Sequence, residues 1–298
     1  MGFFGLCRQD EILDILRNTY KAEVLKIPEE RVKPFCVIAR KNNNFNFWGE
    51  LSHLVNNGTQ IRATNFESSL MAELSGKQSS KLKTSIGFQI IDSFLQGFGV
   101  PSPDIKSKIN NVSLLSFSFK DVKRMYITPA KMGQILIKHE INVRNSASMI
   151  FFPPHSYEFL VIDSIIICNN FSIHIKKSTD YKGKIDFGAI KEMLKCTDMH
   201  IEINKASDIS ITFKSNKYLT FSFTVVKFIL ETNGKISIIL PDNKTIKKID
   251  FSTYRSYSKL STLNYGRDIS LADLEDDFIC PQNVLITDEP GFISWDNN

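Results

Sequence analysis

Cys7 is the residue of this chain whose surroundings best suit a covalent modification. It follows Met-Gly-Phe-Phe-Gly-Leu, a short apolar segment at residues 1–6 that carries no charged side chain. A cysteine beside apolar residues near a chain end is a typical site of S-acylation, which attaches a fatty acyl chain. Myristoylation of Gly2 is not predicted, because that motif requires Ser or Thr where this chain has Leu6. The alternative is that Cys7 is an ordinary buried thiol.

No motif of enzyme chemistry accompanies this cysteine. The chain lacks a phosphate-binding loop, a G-x-S-x-G nucleophile elbow, an H-E-x-x-H zinc helix and the glycine fingerprint of dinucleotide-binding folds. The cysteines are odd in number, scattered and never in a C-x-x-C pair, so neither a zinc site nor a disulfide framework is predicted. The five histidines are isolated from one another: His53, His139, His155, His174 and His200. We therefore expect no catalytic residue, no metal and no cofactor beyond an acyl chain on Cys7, in a reducing compartment.

The composition is that of a folded globular protein. The 298 residues are 42% hydrophobic and 11% aromatic, which is enough to bury a sizeable core in one large domain or two modest ones. Phe, Ile and Val outweigh Ala, and this favours strands over a helical bundle. No run approaches the roughly 20 apolar residues of a spanning helix. The N-terminus also lacks the basic segment of a signal peptide, so we expect a protein that is made in soluble form.

Charge is distributed unevenly along the chain. Residues 251–298 carry three basic and eight acidic side chains, a net charge of −5, which leaves +10 for residues 1–250. A basic body with an acidic tail indicates a body that binds nucleic acid or an anionic membrane, or a tail that shields the surface of the body. The plain alternative is a solvated surface without a partner. Nucleic acid is not predicted, because the strand aromatics alternate toward the core instead of lying exposed among basic residues.

The stretch from residue 75 to 122 changes its hydrophobic period halfway. Ile90, Phe94 and their apolar neighbours recur at helical spacing, and glycines at 97 and 99 would end that helix. After a Pro-Ser-Pro turn, Leu115, Phe117 and Phe119 alternate with serines, which is the pattern of a half-buried strand. Taken by itself, the stretch predicts a helix packed on an antiparallel sheet.

The remaining elements are mostly strands. An apolar run from residue 159 with Asn169-Asn170 after Cys168 predicts a hairpin that ends at residue 175. Further strands are predicted at residues 201–203, 209–213, 219–228 and 235–240, and a short helix at residues 185–194. The fold class is therefore α+β: a twisted, mostly antiparallel sheet with peripheral helices.

In this order the elements resemble those of the bacterial gasdermins. The matching pieces are SSKLKTSIGFQIIDSFLQGFG, then DIKSKINN, then LLSFSFKDV, together with a lone Cys near the start and a Leu-x-x-Pro segment at residues 25–28. The similarity covers roughly residues 1–230. In that family the N-terminal cysteine carries a fatty acyl chain, so the resemblance implies a palmitoyl group on Cys7. It also implies the fold of the gasdermin N-terminal domain.

The function implied by the resemblance is that of an autoinhibited pore-forming protein. Residues 1–255 would be the pore-forming body, and residues 256–298 a linker with a short autoinhibitory tail. A separate caspase-like or trypsin-like protease would remove the tail from the cytoplasmic monomer. The freed body would then oligomerise with lipids of the cell inner membrane into a large β-barrel pore and cause cell death in antiviral defence. The alternative is a soluble α+β binding module, for an anionic ligand or nucleic acid, whose tail is a structural cap.

Three groups of site residues follow from this interpretation. The protease cleavage region is expected around Leu260, Leu263, Arg267, Leu271 and Asp273. The tail is too apolar to lie in solvent, and its predicted docking residues are Phe278, Ile279, Leu285, Phe292 and Trp295. The predicted membrane-inserting residues are Ile90, Phe94, Leu115, Phe117, Phe119, Ile173 and Ile175. The last group has an equally simple alternative, since core residues of a soluble sheet alternate in the same way.

Overall fold

A computed structural model of the chain describes most of the body. The described residues are 11–41, 44–79, 82–101, 103–109, 112, 114–155, 157–176, 185–195, 197–205 and 208–240. Cys7, the predicted cleavage region and the predicted docking residues of the tail lie outside these ranges. The predictions made for them therefore stay predictions.

One antiparallel sheet organises the described residues. Its strands are β1 Glu23–Glu29, β2 Cys36–Lys41, β3 Asn44–Glu50, β4 Glu67–Leu70, β5 Leu82–Lys83, β6 Leu114–Phe119, β7 Lys123–Tyr126, β8 Glu158–Ile175, β9 Met199–Asn204, β10 Ile209–Leu230 and β11 Ile236–Leu240. Every strand pair in it is antiparallel. Together with the helices of the chain, this sheet confirms the α+β class.

Six α-helices and three other helical turns occur within the described ranges. The α-helices are α1 Glu11–Asp14, α2 Thr59–Arg62, α3 Thr84–Gly97, α4 Ile105–Lys108, α5 Pro129–Leu136 and α6 Phe187–Leu194. The others are a π-helical turn at Ile15–Thr19 and 3-10 turns at Leu51–His53 and Ser146–Phe151. In the part of the chain that the structure describes, no helix is both long enough and apolar enough to span a bilayer.

Two long strands, β8 and β10, lie at the centre of the sheet and pair along most of their length. The other edge of β8 is taken by β2, β7 and β6 in succession. The other edge of β10 is taken by β11, β1 and β9. The centre of the sheet therefore consists of two long strands with three short strands along each side, and β3, β4 and β5 extend it by pairing with β2, β7 and β6.

The Asn169-Asn170 turn predicted from the sequence is wrong. β8 runs without reversal from Glu158 to Ile175, and both asparagines lie inside it. At this point β10 carries extra residues between Lys214 and Leu219, so the pairing is irregular. The amide of Asn169 donates to the carbonyl of Ser215 at 2.8 Å. The asparagines thus mark a bulged junction between two halves of one strand, and the same irregularity joins two predicted strands into β10.

The helix predicted in the central stretch is confirmed as α3, and it ends at Gly97 as expected. Gly99 follows with φ +88°, a conformation that glycine adopts without strain and that commonly terminates helices. Gly97 itself lies against β1. A Cβ atom at this position would be 2.4 Å from the carbonyl oxygen of Pro28. The absence of a side chain therefore lets α3 approach the sheet.

We expect Gly97→Ala to destabilise the protein, although alanine is the better helix former by about 1 kcal/mol. The added methyl group must displace the Pro28 backbone, and such overpacking costs about 1–3 kcal/mol. The measurement is a thermal melt of the full chain. Gln96→Ala, at the exposed neighbouring position, is the control and should leave the melting temperature almost unchanged. A stabilised Gly97→Ala variant would show that the close approach does not matter.

Candidate functional site

The predicted membrane-inserting residues meet in one hydrophobic core. All seven belong to the same buried cluster, which lies between α3, α6 and the sheet and is called the α3 core below. Leu115, Phe117 and Phe119 of β6 lie opposite Ile175, Ile173 and Phe171 of β8. In this state they are core residues, so the structure agrees with the simple alternative and leaves their insertion into lipid untested.

The strands beneath this core share one apolar face. On β10, Ile209, Ile211 and Phe213 lie opposite the same three β8 residues. On β9, Ile203 and Ile201 extend these rows by one more strand. The apolar face is hereafter the set Leu115, Phe117, Phe119, Phe171, Ile173, Ile175, Ile201, Ile203, Ile209, Ile211 and Phe213. Four hydrogen-bonded strands thus present one continuous apolar surface.

Helix α3 covers the apolar face with an aromatic cluster. The Phe94 ring lies 5.1 Å from that of Phe119 and 5.2 Å from that of Phe171, measured between centroids. Ile90 of α3 and Ile190 of α6 belong to the same core. Because a charge at these fully packed positions would be buried, aspartate substitutions at Leu115, Phe117, Ile173 or Ile175 would disrupt the resting fold before any membrane was met.

The opposite face of the same strands is polar. It comprises Ser116, Ser118, Asn170, Ser172, His174, His200, Glu202, Asn204, Ser210, Thr212 and Lys214, which alternate with the apolar residues. Ser118 Oγ lies 2.7 Å from His174 Nε2, and Ser172 Oγ lies 2.7 Å from Thr212 Oγ1. These two cross-strand hydrogen bonds join β6 to β8 and β8 to β10, so they satisfy four of the polar side chains and help to hold the register, while Asn170 Oδ1 is buried without a hydrogen-bond partner.

One carboxyl group lies within the packing of α3. Asp92 Oδ1 accepts a hydrogen bond from the backbone N–H of Ile105 at 2.9 Å, which ties α3 to α4. Burial raises the pKa of Asp92 to about 6, and the nearby Asp104 carboxylate adds to this while the Ile105 hydrogen bond opposes it. At neutral pH the ionised Asp92 carboxylate is therefore kept in the fold at a cost in free energy. This cost makes the docking of α3 less stable than its apolar residues alone would allow.

The described cysteines are poor acylation sites. Cys36 and Cys168 are free and buried. Burial raises the pKa of Cys36 to about 11 and that of Cys168 to about 12, so both thiols stay protonated and unreactive at neutral pH. Within the described ranges, no group of three or more His, Cys, Asp or Glu side chains is placed to bind a metal ion.

Sequence patterns did not reveal every residue that shapes this site. Gly97 was identified as a helix end, but not as the point where α3 meets β1. The hydrogen-bonding partners Ser118 and His174 are 56 positions apart, and no local pattern joins them. The alternation of polar and apolar residues in β6, β8 and β10 was the one signal available for the polar face.

Comparisons with known proteins agree with this architecture. Residues 25–235 match the family model described as the Bacterial Gasdermin Family. A "Gasdermin bGSDM" of Vitiosangium sp. (strain GDMCC 1.1324) is 24% identical over 234 residues, covering 78% of this chain and 86% of that protein. A second "Gasdermin bGSDM", from a Desulfuromonadales bacterium, is 24% identical over 242 residues with the same coverage.

A solved structure shares the fold. It is titled "Structure of a bacterial gasdermin from Bradyrhizobium tropiciagri", and it aligns with a TM-score of 0.55 at 16% identity. The alignment covers 78% of this chain and 91% of that one. At this identity the likeness concerns the fold alone.

Proposed function

Because this chain belongs to the bacterial gasdermin family, we propose that it forms membrane pores by inserting the strands that carry the apolar face. Membership of the family implies a pore-forming function. The finer proposal is that the C-terminal tail keeps the protein inactive until a protease removes it. The freed bodies then oligomerise in the inner membrane, and the resulting pores kill the cell as an antiviral defence.

The observation that carries this proposal is the separation of the two faces over four adjacent strands. A strand that lines a membrane pore needs apolar side chains toward lipid and polar ones toward water, over about 9 to 11 residues. β8 and β10 have 18 and 22 residues in total, and the alternation in β8 covers residues 170–175, since residues 159–168 are largely apolar on both faces. Their neighbours β6 and β9 continue the same alternation. The resting sheet therefore already contains part of the pattern that an inserted sheet requires, over four neighbouring strands.

Insertion requires that α3 and α6 leave the apolar face. Both helices contribute buried residues to the α3 core. While they stay in place, lipid cannot contact the apolar face. The first hairpin would form from residues 86–122. The second would form from the end of β8 and the start of β10, which are joined by residues 176–208. The cost of uncovering the face is met by its transfer into the bilayer.

The tail is proposed to oppose this transition. Its net charge of −5 complements the +10 of residues 1–250, and a covalently attached segment is held at high effective concentration. The Ser-rich residues 252–277 suit a cleavable linker. One cut there would make dissociation of the tail much more favourable. The partners proposed are an activating protease, membrane lipids and further copies of this chain.

Removal of the tail tests this proposal in cells. A chain that ends at Tyr257 should stop growth and depolarise the membrane, while the full chain should be tolerated at equal expression. Both proteins are expressed from the same inducible vector, and membrane potential is followed with a voltage-sensitive dye. If the truncated protein is merely insoluble and harmless, the tail is a structural cap and the soluble binding module becomes the better interpretation.

We predict that Cys7 carries a fatty acyl chain that strengthens pore formation. One acyl chain gives only marginal membrane affinity, but many such anchors add up in an oligomer. Intact-mass measurement of protein expressed in bacteria should show an acyl adduct on the wild type and none on Cys7→Ala. The variant should keep the melting temperature and lose leakage activity. Cys168→Ala is the control. Because the buried Cys168 thiol should not be acylated, this variant should still carry the adduct on Cys7. An unmodified wild type with full activity would refute the prediction.

A further inference from the structure

The polar face of the central strands contains few acidic groups. The segments of β6, β8 and β10 at residues 114–119, 170–175 and 209–214 contain no Asp or Glu. Their charged and titratable side chains are Lys214, which is exposed, and His174. On β9, His200 lies opposite Lys214, and Glu202 lies opposite Thr212.

Three charged residues flank these segments at the strand ends. Lys120 and Lys176 directly follow β6 and β8, and both are exposed. Asp208 directly precedes β10. With Lys214 and Glu202, the described part of the face and its ends therefore carries three lysines against two carboxylates. Asp198, which directly precedes β9, pairs with Lys217 at 3.8 Å, so these two charges cancel. The described residues of each subunit thus contribute an excess of one positive charge to this face.

We propose that the pore of this protein is lined by the polar face and conducts anions in preference to cations, with Lys214 and His174 as the residues that set this preference. The inference rests on the proposed function, because it requires a pore. Lipid can contact only the apolar face, so the polar face must border the water-filled lumen. Repeated in every subunit, Lys214 then forms a ring of positive charge, and such rings select ions of the opposite sign.

His174 makes the preference depend on pH. In the resting sheet, β6 faces it with Ser116, Ser118 and the following Lys120, and β10 faces it with Ser210 and the preceding Asp208. Burial lowers the pKa of His174, Lys120 lowers it further and Asp208 raises it. A lumen filled with water removes the burial effect, so the imidazole is protonated more readily in the pore. Acid therefore adds positive charge at His174.

Salt screening decides the conditions of the experiment. Fixed charges act over about 30 Å at 0.01 M salt but over only about 8 Å at 0.15 M. In a wide pore the charged wall affects most of the lumen only at low salt. The anion preference should therefore be largest in dilute KCl and should decline as the concentration rises.

The experiment uses the full chain with a protease recognition sequence inserted between residues 256 and 277. The protein is cleaved beside a planar bilayer that separates two dilute KCl solutions of unequal concentration. The reversal potential gives the preference for chloride over potassium. We expect a chloride preference at neutral pH that grows at about pH 5.5, where imidazoles are charged. Lys214→Glu turns the excess of one positive charge into an excess of one negative charge, so it should reverse the sign of the potential.

Further variants assign the effects to individual residues. His174→Gln should reduce the acid-dependent increase. Lys138→Glu makes the same charge change at an exposed position after α5 and should leave the reversal potential unchanged. A conducting wild type without anion preference, or a Lys214→Glu variant that behaves as wild type, overturns the inference alone. If no variant conducts after cleavage, the proposed function fails and this inference fails with it.

Discussion

Phe94→Ala is expected to make the full-length chain permeabilise liposomes without any proteolysis. The Phe94 ring anchors α3 on Phe119, Phe171 and Phe221, whose centroids lie 5.1, 5.2 and 6.0 Å away. Truncation of a buried Phe costs about 3–5 kcal/mol, and here the loss falls on the contact that covers the apolar face. The strands themselves keep every apolar side chain. The barrier to opening therefore falls, while the inserted state loses only one of the apolar side chains of residues 86–122.

A matched variant separates this effect from a general loss of stability. Phe151→Ala removes a ring of the same size that packs edge-on against Phe159 at 4.8 Å, in a different core cluster beside α5. Both variants should melt at lower temperature than the wild type. Only Phe94→Ala should release dye from vesicles. Equal leakage by the two variants, or none by either, would show that docking of α3 does not control pore formation.

Glu158→Gln is expected to destabilise the fold by about 3 kcal/mol, because it leaves a buried arginine without a counter-charge. Arg40 is only 2% exposed, and its guanidinium pairs with Glu158. Lys227 Nζ donates to the same carboxylate at 2.5 Å. The three residues link β2, β8 and β10. The thermal midpoint should fall by roughly 6 °C or more at this chain length.

The pH dependence of this contribution has a definite sign. Burial alone would raise the pKa of Glu158, but the hydrogen bonds and charges of Arg40 and Lys227 outweigh it and hold the pKa below the ordinary 4.5. A carboxyl group with a lowered pKa stabilises the fold above its unfolded pKa and loses this effect as pH falls through the folded value. The difference in unfolding free energy between wild type and Glu158→Gln should therefore be full at neutral pH and shrink below about pH 4.5.

Glu29→Gln is the control for this measurement. Burial raises the pKa of Glu29, against the opposing effect of Arg31, whose side chain is 67% exposed. Its charge is thus disfavoured in the fold, and removing it should cost nothing at neutral pH. If denaturant titrations show equal losses for the two variants, the buried charge cluster does not stabilise the sheet in the way proposed.

The regular elements were predictable because their signals are local. Helix α3 follows from apolar residues at helical spacing, and β6 from the alternation of Leu115, Phe117 and Phe119 with serines. The start of α5 carries an equally local signal, because Pro129 occupies its first turn and the Thr128 side chain accepts a hydrogen bond from the Lys131 backbone N–H at 3.4 Å. Each of these signals lies within about two turns or one strand of the residues that it specifies.

Long-range pairing could not be predicted in this way. Asn169-Asn170 has the composition of a turn, but a partner strand that begins about 40 residues later keeps the chain extended. Arg40 is a single basic residue in an apolar strand, and its partner Glu158 is 118 positions away. In both places tertiary contacts override the local preference.

The residues of the candidate site were predictable from the sequence. Whether they form a core or a lipid-facing surface was not. The sequence indicates which side chains of β6 and β8 share a face. A core and a lipid-facing surface require the same alternation, so the pattern alone does not distinguish them. The structure adds that α3 covers this face and that hydroxyl groups line the other. The same alternation is thus compatible with a packed core and with a membrane-inserted sheet.

The most direct test of the account is dye release from anionic liposomes by the full-length chain, before and after cleavage at a protease site inserted between residues 256 and 277. Circular dichroism verifies that the uncut protein is folded, and a sedimentation step measures how much of the cut protein binds the vesicles. We expect tight vesicles with the uncut chain and rapid release after the cut, together with transfer of the body to the membrane. A cut protein that stays folded and soluble while the vesicles remain tight would contradict the proposal that the tail holds back a pore-forming body.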